Sequence, residues 1–185
     1  MTSPLITVSE LKNYALPISD AQWDLIGDDQ LENIIAYASQ NIMDYVDLGI
    51  VSAYYTERIR GNDRGTIMLD QYPLNSVQSI TSYTNQEVAT SWDTSAFIFD
   101  SGAALITFKD RYRYVFWDEY YWVVAYNAGW DTIPGPIKHA TALQAVQMLQ
   151  PVFRKGGTFG EVKLIDGLNE SIVDMLEKYK RKRIG

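Results

Sequence analysis

The sequence predicts an α+β fold, mainly α: a small helical bundle with an inserted β hairpin or sheet and a C-terminal helical tail. Three observations predict it. Apolar residues recur at three- and four-residue spacing near both ends of the chain. Between residues 54 and 126 that period gives way to short runs rich in β-branched and aromatic residues. Pro134 and Pro136 then reopen a helical pattern. The expected division is a domain over residues 1–154, carrying the β insertion at 54–126, followed by residues 155–185 as a Gly-rich linker and an amphipathic basic helix.

The first helix begins at Thr7. Thr7 and Glu10 fit a capping box, in which each side chain satisfies a backbone donor near the other residue. A stronger helix follows from Asp28 or Asp29. Leu31, Ile34, Ile35, Ala38, Ile42, Tyr45 and Val46 share one face, acids occupy the first turn where the helix dipole favours them, and Gly49 is the expected stop. Residues 55–60 and 66–69 flank Gly61-Asn62-Asp63-Arg64-Gly65 and read as a hairpin. Residues 77–83, 95–99, 104–108 and 123–126 read as further strands, with Asp100-Ser101-Gly102 as a turn. Residues 109–122 mix aromatic and charged side chains and suggest an extended, partly exposed hairpin. Ile137, Ala140, Leu143, Val146 and Leu149 form the stripe of the next helix, which Pro151 is expected to end. Leu168, Ile172, Met175, Leu176 and Tyr179 form the last stripe, with acids first and bases last.

Composition removes several chemistries. The 185 residues carry a net charge of −7 and no cysteine, so there is no disulfide and no thiolate metal site. Lys12 stands alone against eight acids in residues 1–53. That imbalance opposes nucleic-acid binding over the whole surface. The N-terminus shows no basic leader with an apolar run, and nothing approaches a membrane span, so the chain is expected to be made in the cytoplasm with no membrane partner. His139 is the only histidine, which makes a catalytic triad or His-rich metal site hard to build. Gly156-Gly157-Thr158-Phe159-Gly160 lacks the Lys-Ser/Thr of a phosphate loop and reads as a linker.

Two surfaces remain. Tyr112, Tyr114, Phe116, Trp117, Tyr120, Tyr121 and Trp122 form a dense aromatic run. Such residues serve protein interfaces, ordinary core packing or stacking platforms for sugar. The bases Lys178, Lys180, Arg181, Lys182 and Arg183 close the chain and suit acidic protein or DNA phosphate. Against an interaction protein stand two rivals: an aromatic carbohydrate-binding module of a tail structure, and a small hydrolase using paired carboxylates such as Asp28/Asp29 or Asp118/Glu119. Glycosidase chemistry needs two carboxylates facing across a substrate, which sequence adjacency does not supply. No enzyme and no cofactor is therefore expected.

An ordered series of short motifs carries a family resemblance. Ile6-Thr7-Val8-Ser9-Glu10-Leu11-Lys12 opens it, and a long helix follows at residues 29–47. Then come Tyr55, Glu57 and Gly61, and next Leu69, Tyr72, Pro73, Leu74, Ser76 and Val77. Tyr126, Ala128, Gly129 and Trp130 follow, and Ile133-Pro134 leads into the next helix. The series resembles the head–tail connector, or head-completion adaptor, family of tailed bacteriophages. The aromatic segment is longer than the family's hairpin, and the tail from Gly156 onward lies outside the series. The resemblance implies a structural protein of the virion neck, made in the host cytoplasm. It implies a ring of twelve copies, bound to the portal protein on one side and to a stopper or tail-completion protein on the other. Double-stranded DNA would pass through the lumen without sequence readout. On that reading Tyr114, Phe116, Trp117, Tyr120, Tyr121 and Trp122 are expected at subunit contacts. Ile172, Met175, Leu176, Tyr179, Lys180, Arg181, Lys182 and Arg183 are expected to dock on the portal. Gly61, Tyr72, Pro73, Tyr126, Gly129 and Pro134 are expected to be structural.

Overall fold

Reciprocal capping starts the first helix, α1 (Val8–Tyr14). The Glu10 N–H donates to Thr7 Oγ1 (3.2 Å) and the Thr7 N–H to Glu10 Oε2 (2.9 Å), as the Thr-x-x-Glu pattern requires. The computed structural model describes residues 4–14, 18–19, 23–24, 26–85, 87–111, 113–154 and 167–180, with residues 151–154 as backbone only. The chain separates into two compact units, residues 1–47 with 132–185, and residues 48–131.

The first unit is helical. α2 (Asp28–Val46) buries Leu31, Ile34, Ile35, Ala38, Ile42 and Val46 along one face. Gly27 has no side chain to cap it, so Gln30 accepts the Gly27 N–H instead (3.3 Å). The stop is Asp47 in the left-handed region (φ 56°), two residues before the expected Gly49, and its N–H closes on Met43 O. α3 (Gly135–Arg154) begins where Pro134 O accepts the Ile137 and Lys138 N–H groups. It runs through Pro151, because a proline near the C-terminal end removes one hydrogen bond without undoing the preceding turns. Ala142, Ala145, Met148 and Leu149 of α3 share a core with Leu31, Ile34, Ile35 and Ala38 of α2. Lys138 and Glu10 tie α3 to α1 at 2.6 Å. α4 (Glu170–Leu176) is followed by a 3-10 turn, Glu177–Tyr179, so it is shorter than the four-turn tail helix expected.

The second unit overturns the expected predominance of helix. Its seven described strands form two antiparallel sheets, and the fold is α+β with a substantial share of sheet beside the helices, not mainly helical. β1 (Ala53–Arg60), β7 (Tyr121–Ala128), β3 (Leu74–Tyr83) and β4 (Ala89–Trp92) form one sheet in that order. β2 (Thr66–Met68), β6 (Leu105–Phe108) and β5 (Phe97–Asp100) form the other. β1 and β2 do not pair, so the expected hairpin across residues 61–65 is instead a crossing between sheets. Asn62 holds that crossing, accepting from Arg64 N–H (3.0 Å) and donating to Thr66 O (3.0 Å). The 100–104 turn does join a hairpin, with Asp100 opposite Leu105. Ile67, Phe97, Ile106 and Phe108 of one sheet and Ile80, Trp122, Val124 and Tyr126 of the other share a single core.

Two outcomes test these local arguments. Gly129 has φ +105°, and a Cβ there would lie 2.7 Å from Val51 O and 2.9 Å from Ser52 Cα. Gly129→Val is expected to lose more than about 1 kcal/mol, read as a lowered midpoint in urea unfolding; an unchanged midpoint overturns this. Lys138, then Thr7, holds the Glu10 carboxyl below its usual range. A depressed carboxylate pKa contributes stability above the unfolded value of about 4.3, and the contribution is lost as pH falls through the folded value. Lys138→Met should therefore lower stability at pH 7 and make little difference at pH 3, measured by urea unfolding at both.

Candidate interaction surfaces

Four of the residues expected to be structural, Tyr72, Pro73, Tyr126 and Gly129, gather at one end of β7. Tyr126 O–H donates to Glu57 Oε2 (2.8 Å), which also accepts the Asp70 N–H (2.9 Å). The Gln71 N–H donates back to the Tyr126 hydroxyl (3.3 Å). One phenol and one carboxylate thus bind the loop at 70–71 to the sheet. Burial, then the Glu57 carboxylate, raises the Tyr126 pKa far above the ordinary phenol range. The Tyr72–Pro73 peptide is cis, and Pro73 O accepts the Gly129 N–H (2.9 Å). The Tyr72 ring meets the Trp130 indole edge-on at 6.4 Å. Gly61 lies at the other end, where a Cβ would collide with the Phe116 and Trp117 carbonyls. Its N–H donates to Tyr120 O (3.0 Å), and Phe116 O accepts both the Asn62 and Asp63 N–H groups (2.8 Å each).

The aromatic segment is not the exposed hairpin its composition suggests. No strand runs through residues 109–120 among those described; Phe116 makes a single bridge to Arg64. Phe116 and Trp122 are fully buried. Their rings pack at 4.7 Å, and Phe116 lies 4.6 Å from Phe108. Tyr114, Trp117 and Tyr120 are half-buried against the same core. Tyr121 alone of the six expected contact residues is exposed, with the Arg58 guanidinium 4.1 Å over its ring. The physical reason is size: a small unit fills its core with rings, each of which buries more area than an aliphatic side chain. Among the described residues the run presents no row of open rings on which a sugar would stack. Tyr54, outside the run, is the most exposed large apolar residue described, at 76%.

The tail helix is already seated. Asn169 Oδ1 caps it by accepting the Ile172 N–H (2.9 Å). Ile172 and Leu176 are fully buried, and α4 packs on α3 of the same unit. Those two side chains therefore cover the chain's own domain, whereas the expectation left them to meet a portal. Met175 and Tyr179 are half-buried. Lys180 is exposed, with its ammonium 4.5 Å from the Tyr45 ring centre. The Tyr45 hydroxyl donates to Glu177 Oε2 (2.8 Å), which raises the phenol's pKa. Arg181, Lys182 and Arg183 lie outside the described residues, as do Tyr112 and the Gly-rich stretch at 156–160.

The acid pairs named for hydrolysis lie on the surface. Asp28 and Asp29 are exposed in the first turn of α2, and Asp118 and Glu119 are exposed in a turn. No group of three or more His, Cys, Asp or Glu suited to a metal occurs among the described residues. His139 packs its ring 5.5 Å from Tyr14. No described helix is long and apolar enough to cross a membrane.

Tyr126→Phe is the direct test of the lock beside Gly129. It removes the donor to Glu57 and the acceptor of the Gln71 N–H, and a buried group left unsatisfied costs about 1–3 kcal/mol. For a chain of this size each kcal/mol lowers Tm by roughly 2–4 °C. A melting temperature equal to the parent's would show that the hydroxyl is not needed.

Comparison with known proteins places these features in a family. The family model described as head completion protein matches residues 4–182. Among solved structures, a chain from the virion of a native gene transfer agent particle aligns with TM-score 0.63 and 14% identity, over 99% of this chain and 91% of that one. A chain from the neck of an empty gene transfer agent particle, computed with C6 symmetry, gives TM-score 0.61 at 12% identity, over 99% and 91%. One from the neck of the native particle, computed with C12 symmetry, gives 0.54 at 11%, over 100% and 97%. A search of curated proteins finds no match. The likeness to those structures extends over both the helical and the β unit, and the family match spans nearly every residue: this chain belongs to the head completion protein family.

Proposed function

We propose that the protein is a structural adaptor of a phage neck. Copies assemble as a ring of twelve in the virion, dock on the portal, and carry a stopper or tail-completion protein on the opposite side. DNA passes through the lumen without sequence readout, and the protein performs no catalysis. The family match over residues 4–182 carries this reading. The likeness to chains of gene transfer agent necks, solved with sixfold and twelvefold symmetry, supports a ring. The surface chemistry agrees with an interaction protein. The exposed large apolar residues include Tyr54, Val88, Ile98, Phe99 and Tyr121, which suit contact with other proteins.

Within this reading the portal-facing group reduces to the surface side of α4 and its 3-10 turn, namely Met175, Tyr179 and Lys180. Arg181, Lys182 and Arg183 extend it along the sequence. Tyr121, with the exposed parts of Tyr114, Trp117 and Tyr120, remains the part of the aromatic segment offered to neighbouring copies.

Electron microscopy of the purified protein, alone and with the portal, tests the assembly. Rings seated coaxially on the portal are expected. A monomer at every concentration by light scattering, with no density added to the portal, overturns the adaptor reading.

A further inference from the structure

β1 is a long sheet edge with no strand paired to its outer side among the described residues. Its register with β7 runs without a bulge from Ala53 opposite Ala128 to Arg60 opposite Tyr121. The same register continues into the Gly61 N–H bond to Tyr120 O (3.0 Å). That bond fixes the parity of the ladder. Residues 53, 55, 57 and 59 turn their N–H and C=O groups toward β7, and Tyr54, Thr56 and Arg58 turn theirs outward. Those outward groups have no partner among the described residues.

Sheets leave such an edge open at the risk of pairing with another chain, and usually guard it with proline, bulges or charges across the edge. β1 has neither proline nor bulge. Its two arginines are drawn elsewhere: Arg58 lies over the Tyr121 ring (4.1 Å), and Arg60 Nε donates to Asp118 O (3.0 Å).

The opposite edge of the same sheet is also open. The Thr84 N–H donates to Val88 O (3.1 Å), in register with Tyr83 opposite Ala89. Ala89 and Ser91 of β4 therefore turn their backbone groups outward, again without a partner among the described residues. All neighbours in the sheet are antiparallel, and the sheet has four strands, so β1 and β4 run in opposite directions. Set beside the β1 of an adjacent copy, β4 continues the antiparallel order.

We infer that β4 of one copy adds to the β1 edge of the next, so that neighbouring subunits of the ring are joined by main-chain hydrogen bonds. The inference rests on the ring reading above. Two different edges joining head to tail form a heterologous contact, which is the kind that closes a ring, whereas β1 on β1 would stop at a dimer. Placing Thr56 opposite Ser91 and Arg58 opposite Ala89 brings the outward groups of both strands face to face. The same register brings Arg60 toward Glu87, an exposed carboxylate in the turn two residues before β4, so opposite charges face each other.

The chain has no cysteine, so introduced thiols report the contact cleanly. Thr56→Cys and Ser91→Cys are placed together in the full chain, assembled on the portal, and oxidised or bridged with a short bis-maleimide that also spans adjacent registers. Within one copy the two positions are three strand spacings apart, about 14 Å, too far for a disulfide. Paired across copies, they stand about 5.5 Å apart, inside disulfide range. A ladder of covalent multimers on a denaturing gel is expected, with neither single cysteine giving more than a dimer. A second variant, Thr56→Pro, removes one outward N–H and no bond of the β1–β7 ladder; rings should be lost while circular dichroism stays that of the parent. Rings visible by microscopy without a ladder overturn the strand pairing and leave the adaptor reading standing. So do normal rings from a folded Thr56→Pro. Absence of rings from the parent protein even on the portal overturns both.

Discussion

A backbone crossing with no room for a Cβ holds the β unit closed. At Gly129 the end of β7 passes within van der Waals distance of Val51 and Ser52, while the Gly129 N–H is bonded to Pro73 O. Trp130 N–H then donates to Ile50 O, and Ser52 N–H to Trp130 O. Three separated stretches, the entry to β1, the approach to β3 and the exit from β7, thus meet over one residue. Asn75 completes the knot, donating to Gly129 O (2.9 Å), Asn127 Oδ1 (3.1 Å) and Ser52 Oγ (3.2 Å). Because β7 lies between β1 and β3, fixing its end fixes the register of both neighbours.

That anchoring explains why the core of the unit is built from rings. The three-stranded sheet, with strands of three and four residues, offers few inward positions, so each must bury much area. Trp92 and Trp122 of the four-stranded sheet each meet Phe108 of the three-stranded one, at 5.5 Å and 5.9 Å, so the two sheets are joined through edge-on rings. The Trp122 indole N–H has no hydrogen-bond acceptor among the described residues and lies among those rings. The aromatic wealth of the sequence is thus largely spent inside, and the surface keeps a sparser set of large apolar groups.

Local chemistry was legible in the sequence; sheet assignment was not. Thr7 with Glu10, the stripe of α2, Pro134 at the start of α3 and the tight place at Gly129 each depend on neighbours in sequence or on one residue's stereochemistry. Pairing partners do not. β1 and β2 flank a turn-like stretch and still enter different sheets, since their partners β7 and β6 come from much later in the chain. β3 is bulged between Leu74 and Ser76 and again between Val77 and Ser79. Its inward residues Leu74, Val77 and Ile80 therefore fall three apart, which blurs the alternation that marks a strand. β4 has one large apolar residue, Trp92, and gives no alternation at all. Residues 77–83, most of β3, still read as a strand, whereas β4 is the strand the sequence did not announce. The residues assigned to contacts suffered from the same limit: Phe116 and Trp122 are as aromatic as Tyr121, and only three-dimensional packing separates core from surface.

The two compact units present different kinds of surface. The helical unit buries Ile172 and Leu176 of its last helix, and the outer side of that helix carries polar and charged groups such as Lys180 and Glu177. Such a surface suits a contact made after folding, between components that meet already formed, where exposed charges guide approach and are screened over about 8–10 Å near physiological salt. The β unit differs: it exposes Tyr54, Val88, Ile98, Phe99 and Tyr121, and the edge of β1 leaves main-chain donors and acceptors open. An edge of that kind binds by direction and register and asks little of the side chains. It is the feature a ring of identical copies can use, because each copy brings both halves of the contact on opposite sides of one rigid sheet.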